Sequence, residues 1–147
     1  MNRIIPAMLL LVVLISACHG DYWSLGDGYV FVNRAIARQT GKGRYKPMET
    51  LVMDQVLNFA FDDNFIIVYQ IPDRNWLNYA KDFMPAEKID SIEALYVKME
   101  DIHHCYWIIR KADAFIIGPM NKDEFEVTCK EMNINLKLDP KYQSKYI

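Results

Sequence analysis

The hydrophobic pattern changes character at Cys18. Before it, Ile4 to Ile15 is an apolar run of twelve residues behind a single base, Arg3. A spanning helix needs about 20 apolar residues, so this run predicts the apolar core of a signal peptide. After Cys18 the apolar residues come in short bursts divided by turn chemistry. YVFVNR, residues 29–34, is β-branched and aromatic and predicts a strand. AIARQTGKGRYKP, residues 35–47, holds two glycines and a proline and predicts a loop. ETLVMDQVLNFAF, residues 49–61, fits two periods. Leu51, Val52, Val56 and Leu57 suit a helix, whereas Val56, Phe59 and Phe61 suit a strand. Asp62-Asp63-Asn64 is turn chemistry, because short polar side chains satisfy nearby backbone groups. FIIVYQI, residues 65–71, is apolar on both faces and predicts a strand in the middle of a sheet, ended by Pro72.

The second half alternates helical and extended patterns. RNWLNYAKDF, residues 74–83, places Trp76, Leu77, Tyr79, Ala80 and Phe83 at roughly helical spacing, and Pro85 stops it. SIEALYVKM, residues 91–99, predicts a second short helix capped by Ser91. CYWII, RKADA and FIIGP, residues 105–119, predict a hairpin. Asn121, with Glu124 three residues on, predicts a capping box. Phe125, Cys129 and Met132 then put one helical face on the sheet. INLKL, residues 134–138, alternates and predicts a closing edge strand whose lysine discourages further pairing. The fold class expected is α+β: an antiparallel meander of four to six strands with a C-terminal helix packed on it. The domain spans 26–138, with a signal peptide over 1–17, a tether over 18–25 and a tail over 139–147.

The end of the first run is specific. Ile15-Ser16-Ala17-Cys18 resembles the bacterial lipobox. That resemblance implies cleavage after Ala17, a thioether-linked lipid on Cys18 and acylation of the new amino group. Two or three acyl chains anchor stably, at about 0.8 kcal/mol per buried methylene. The residue after the cysteine is His19 rather than an inner-membrane retention aspartate, so the outer membrane facing the periplasm is expected. Residues 19 to 24 reach only about 20 Å even when extended, so the domain rides close to the bilayer.

Charge and cysteine content narrow the function classes. Removing residues 1–17 takes away one base and no acid, so the formal charge moves from −2 to −3. No excess of base suggests nucleic acid, and an export signal argues against it. With Cys18 lipidated, Cys105 and Cys129 remain. In an oxidising envelope they are a candidate disulfide worth roughly 3 kcal/mol by chain entropy. The alternative is two buried thiols, since free cysteine packs as a small hydrophobe.

Candidate chemistry is sparse. Asp101, His103 and Cys105 are spaced by two, so in an extended segment they share a face, as a metal half-site or an imidazole-activated thiol would. A loop entering a strand presents the same residues. Arg34, Arg38, Lys42, Arg44 and Lys46 form a basic run with no acid, which reads as a solvated loop or as a contact for anionic head groups. Trp76, Tyr79 and Phe83 form an aromatic stripe, either core or a stacking surface. No phosphate-binding loop, serine-hydrolase elbow or zinc-protease motif is present. No cofactor or metal is expected.

Most of the mature chain resembles a family of small bacterial lipoproteins that carry a domain of unknown function. The matching features are GDY and GYVFV at the start, FAFDDNFIIVYQIP, YWIIRK, and IIGPMNKDEFEVTCKEMNI with its Gly-Pro before the helix. The resemblance implies the fold and carries no catalytic residue. The function expected is that of a non-catalytic envelope lipoprotein, membrane-bound through its lipid, that binds a protein partner in an accessory, inhibitory or immunity-type role. The alternative is a metal- or thiol-dependent enzyme using Asp101, His103 and Cys105.

Overall fold

Eight strands form two separate antiparallel meanders. The computed structural model describes residues 22–42, 47–53 and 55–139. The signal peptide, Ala17, Cys18 and the tail beyond Asp139 lie outside the described residues. The first sheet runs in order β1 (Tyr22–Gly26), β2 (Tyr29–Val32), β3 (Ala35–Gln39), β4 (Met48–Val52). The second runs β5 (Val56–Phe61), β6 (Phe65–Gln70), β7 (Cys105–Arg110), β8 (Phe115–Met120). Helices α1 (Arg74–Lys81) and α2 (Ala86–Ile102) connect β6 to β7, and α3 (Lys122–Glu131) follows β8.

The strand pattern explains the layers. In β7, Cys105, Trp107 and Ile109 point one way and Tyr106 and Ile108 the other, and all five are buried. The odd positions join Ile66 and Val68 of β6 and meet Leu25, Tyr29, Ile36 and Val52 of the first sheet. That is the seam of a β-sandwich. The even positions join Ile67 and Tyr69 and pack against Phe125 of α3, with Cys129 and Met132 beside them. The second sheet is therefore covered on both faces, as the two-sided apolar pattern of residues 65–71 requires. Across the seam, the Tyr29 hydroxyl donates to the Lys111 carbonyl at 2.8 Å, and the Val56 amide donates to the Arg34 carbonyl at 2.8 Å.

The α+β class, the central position of β6, the 105–120 hairpin and the capped C-terminal helix match expectation. Asn121 Oδ1 accepts from the Glu124 amide at 2.9 Å, and Glu124 Oε2 accepts from the Asn121 amide at 3.0 Å. Five expectations are corrected. Residues 22–25, expected as tether, form most of β1, and Leu25 is fully buried in the core. The sheet of four to six strands is two sheets of four. Residues 35–39, expected as loop, form β3, reached through a two-residue turn in which Asn33 and Arg34 both hold positive φ, 49° and 59°. That backbone matches the hairpin turn whose twist suits flanking strands, but Asn-Arg lacks the glycine that would advertise it. The helix expected at Ser91 starts five residues earlier at Ala86, and the Ser91 hydroxyl bonds back to the Lys88 carbonyl at 3.0 Å. α1 ends at Lys81, before Pro85, and Pro85 occupies the N-cap of α2 with φ −59°. Residues 134–138 form no strand. Ile134 and Leu138 instead bury their side chains in the layer beneath α3.

Candidate binding groove

Asp73 begins the site by capping α1. Its Oδ1 accepts from the Asn75 amide at 3.0 Å and the Trp76 amide at 3.4 Å. This fixes the first turn, so that Arg74 and Trp76 point toward α2. Trp76 stacks on Tyr96 of α2 at 6.4 Å between centroids and 12° between planes. The Arg74 guanidinium lies 5.9 Å over the same ring. Arg74 also grips Glu100 in two places, Nε to Oε1 at 2.8 Å and Nη2 to Oε2 at 2.6 Å, and reaches Glu93 through Nη1. Lys81 closes the cluster on the other Glu93 oxygen. The bonds from Lys81 and Arg74 hold the Glu93 carboxyl below its ordinary range, and Arg74 does the same to Glu100. Four charges thus clamp α1 to α2, with Arg74 and Glu100 paired in bidentate geometry.

The clamped helices stand beside β4, and a groove runs between them. One cavity of about 590 Å³ is walled by Met48, Glu49 and Thr50 on the strand side, and by Trp76, Met84 and Lys88 on the helix side. A second cavity of about 250 Å³ shares Met48, Thr50, Met53 and Trp76, and runs over the outer face of β3 at Ala35 and Ala37. Three methionines around one indole make an apolar surface that repacks easily around different shapes. Met48 is exposed, as are Tyr79 and Phe83 of the α1 end, whose rings pack together at 5.1 Å. The aromatic stripe read from the sequence is therefore split. Trp76 turns into the groove, while Tyr79, at 66 % exposure, and Phe83, at 73 %, face solvent.

The alternative chemical site does not assemble. Asp101 lies in the last turn of α2, His103 takes a left-handed backbone at φ 65°, and Cys105 begins β7. The segment is not extended, so the three side chains share no face. Cys105 is fully buried in the seam, donates its thiol toward the Met99 carbonyl at 3.4 Å, and is pushed up to about 12 by burial. That is the reverse of an activated nucleophile. Among the described residues no cluster of three His, Cys, Asp or Glu side chains could hold a metal. Cys105 and Cys129 are both free thiols. They belong to the two different cores, so the sheet lies between them; the candidate disulfide is not formed and the alternative of two free thiols holds. In the basic run, Arg38 pairs with Glu49 at 3.6 Å. Arg44 and Lys46 lie outside the described residues.

Sequence reasoning found Trp76 and missed Met48, Met53 and Met84. The signal available was weak: eight methionines in the chain, distributed without a period. A family model described as Protein of unknown function (DUF3997) matches residues 30–143. No curated protein and no solved structure matches the chain.

Proposed function

The chain belongs to the DUF3997 family of proteins of unknown function, and we propose that it is a non-catalytic envelope lipoprotein that holds a protein partner in the groove between β4 and α1–α2. The groove carries this reading. It is open, apolar at its base, lined by adaptable methionines, and braced by an ion-pair cluster that keeps its helical wall in place. The signal-like run and Cys18 support a lipid anchor. The first strand begins at Tyr22, four residues beyond Cys18, so an anchored domain stays within roughly 14 Å of the acylated residue. A partner is then met at the membrane surface, which suits an accessory, inhibitory or immunity-type role.

The test is photocrosslinking in intact cells, with a benzophenone amino acid placed at Met84. One discrete crosslinked product, reduced by Trp76→Ala and absent when Cys18→Ala releases the protein, is the expected result. A product indifferent to both substitutions, or none at all, overturns the reading.

A further inference from the structure

We propose that the groove accepts its partner by strand addition: an extended, mainly apolar peptide pairs with the free edge of β4 and sets an acidic group against Lys88. The proposal rests on the binding role given above and specifies how that site recognises its ligand.

The position of the cavity along β4 is the first observation. Met48, Glu49 and Thr50 are consecutive, so their side chains point alternately to the two faces of the sheet. A cavity that touches all three follows the strand along its length. β4 is the last strand of its sheet, and among the described residues nothing pairs with its far side.

Hydrogen-bond alternation then identifies the groups on that edge. The Thr40 amide donates to the Pro47 carbonyl at 2.9 Å, so residues 40 and 47 are a bonded pair. The register continues as Gln39 with Met48, Arg38 with Glu49 and Ala37 with Thr50. In an antiparallel ladder bonded and non-bonded pairs alternate. Glu49 therefore bonds inward to β3, while the N–H and C=O of Met48 and the N–H of Thr50 point away from β3; beyond Thr50 the register shifts by one residue at Leu51, and the regular alternation ends there. Such a row of donors and acceptors is a template for another extended backbone. Within β4 there is neither lysine nor proline, and the bulge that interrupts the ladder lies at its far end, at Leu51, so the template is the Met48–Thr50 stretch.

Charge selects the ligand further. Glu49 is engaged by Arg38. Lys88, across the groove on α2, has no acidic partner among the described residues. Its neighbour one turn on, Ile92, is apolar and lines the same cavity. A peptide with apolar side chains toward Met48, Met84 and Ile92, and one carboxylate toward Lys88, matches this wall.

The experiment selects displayed random nine-residue peptides on the full chain purified in detergent. The selected peptides are then titrated by fluorescence polarisation against variants. Thr50→Pro removes one outward N–H at an edge position where proline is tolerated. It is expected to keep the melting temperature within a few degrees and to weaken binding at least tenfold. Lys88→Ala is expected to weaken binding several-fold, more at low salt than at high salt. Peptides that alternate apolar residues with one acid complete the expected result. Binding lost in Trp76→Ala but untouched by Thr50→Pro overturns strand addition and leaves the groove as the binding site. Binding indifferent to Trp76→Ala, Thr50→Pro and Lys88→Ala overturns both readings. A concentration-dependent dimer abolished by Thr50→Pro, with no peptide selected, assigns the edge to a second copy of the chain and overturns the peptide ligand.

Discussion

Gln70 and Trp107 sit side by side in the seam between the sheets, where the indole N–H donates to Gln70 Oε1 at 2.7 Å. Gln70 is fully buried, and its Nε2 donates to the carbonyl of Met53. One amide thus ties the core tryptophan to the β4–β5 connection, and Met53 is also a wall of the groove. The buried polar bridge links the stability of the sandwich to the shape of the site.

Gln70→Leu removes both bonds and leaves a buried indole N–H and a part-buried carbonyl without these partners. The expected cost is about 1–3 kcal/mol, read as a lower urea midpoint with an unchanged slope. Trp107→Phe in the Gln70→Leu background should cost less than the two changes measured separately, because the orphaned donor is gone. Simple additivity would contradict the bridge.

Gly118 holds φ 141°, and a Cβ there would lie 2.7 Å from Trp107 Cε3 and 2.8 Å from the Tyr106 carbonyl. Gly28 also has positive φ, 81°, yet a Cβ there meets nothing nearer than 3.7 Å. Alanine at Gly28 should cost about 1 kcal/mol from backbone strain alone. Alanine at Gly118 should cost about 3 kcal/mol, since strain and collision add. Equal losses in chemical denaturation would refute the steric account.

Burial pushes the Cys105 thiol up to about 12, and burial with the nearby Glu126 charge raises Cys129. At pH 8 the folded protein should take up iodoacetamide slowly at Cys129 and not at Cys105. Addition of urea should release both. Peptide mass spectrometry of the two states decides this, and rapid native labelling of Cys105 would count against its place in the seam.

His104 stacks on Tyr69, with Nδ1 2.8 Å from the tyrosine hydroxyl. Burial, and then the neighbouring His103 charge, lower its pKa from the ordinary value of 6.5. The folded state therefore favours the neutral ring, which offers Nδ1 as acceptor to the phenol. A base with a depressed folded pKa contributes stability above its unfolded pKa. That contribution is lost as pH falls through about 6.5 toward the folded value. Urea midpoints should drop across this interval, and His104→Gln should flatten the drop. An NMR titration placing His104 at or above 6.5 would sink the argument.

Several elements were legible because their signals are local. The capping box at Asn121 and Glu124 involves groups three residues apart. The two-sided apolar run of β6 announces burial on both faces without reference to any partner. Pro72 and Pro85 break the chain wherever the rest of the fold lies. Strand β3 was hidden for an equally local reason. Its turn uses Asn33 and Arg34 at positive φ, and the charged residues that follow read as solvent loop.

The sequence by itself determined the α+β class, the central strand, the hairpin of residues 105–119 and the C-terminal helix on the sheet. Periodicity and capping act over a few residues, and that is the range over which a sequence can be read directly. Only the tertiary structure decided that there are two sheets, that Cys105 and Cys129 lie on opposite sides of one of them, and that Asp101, His103 and Cys105 diverge. It also decided the groove. Met48, Trp76, Met84 and Lys88 come from a strand and two helices that share no period. Their meeting depends on how those elements pack, which no short window of sequence contains.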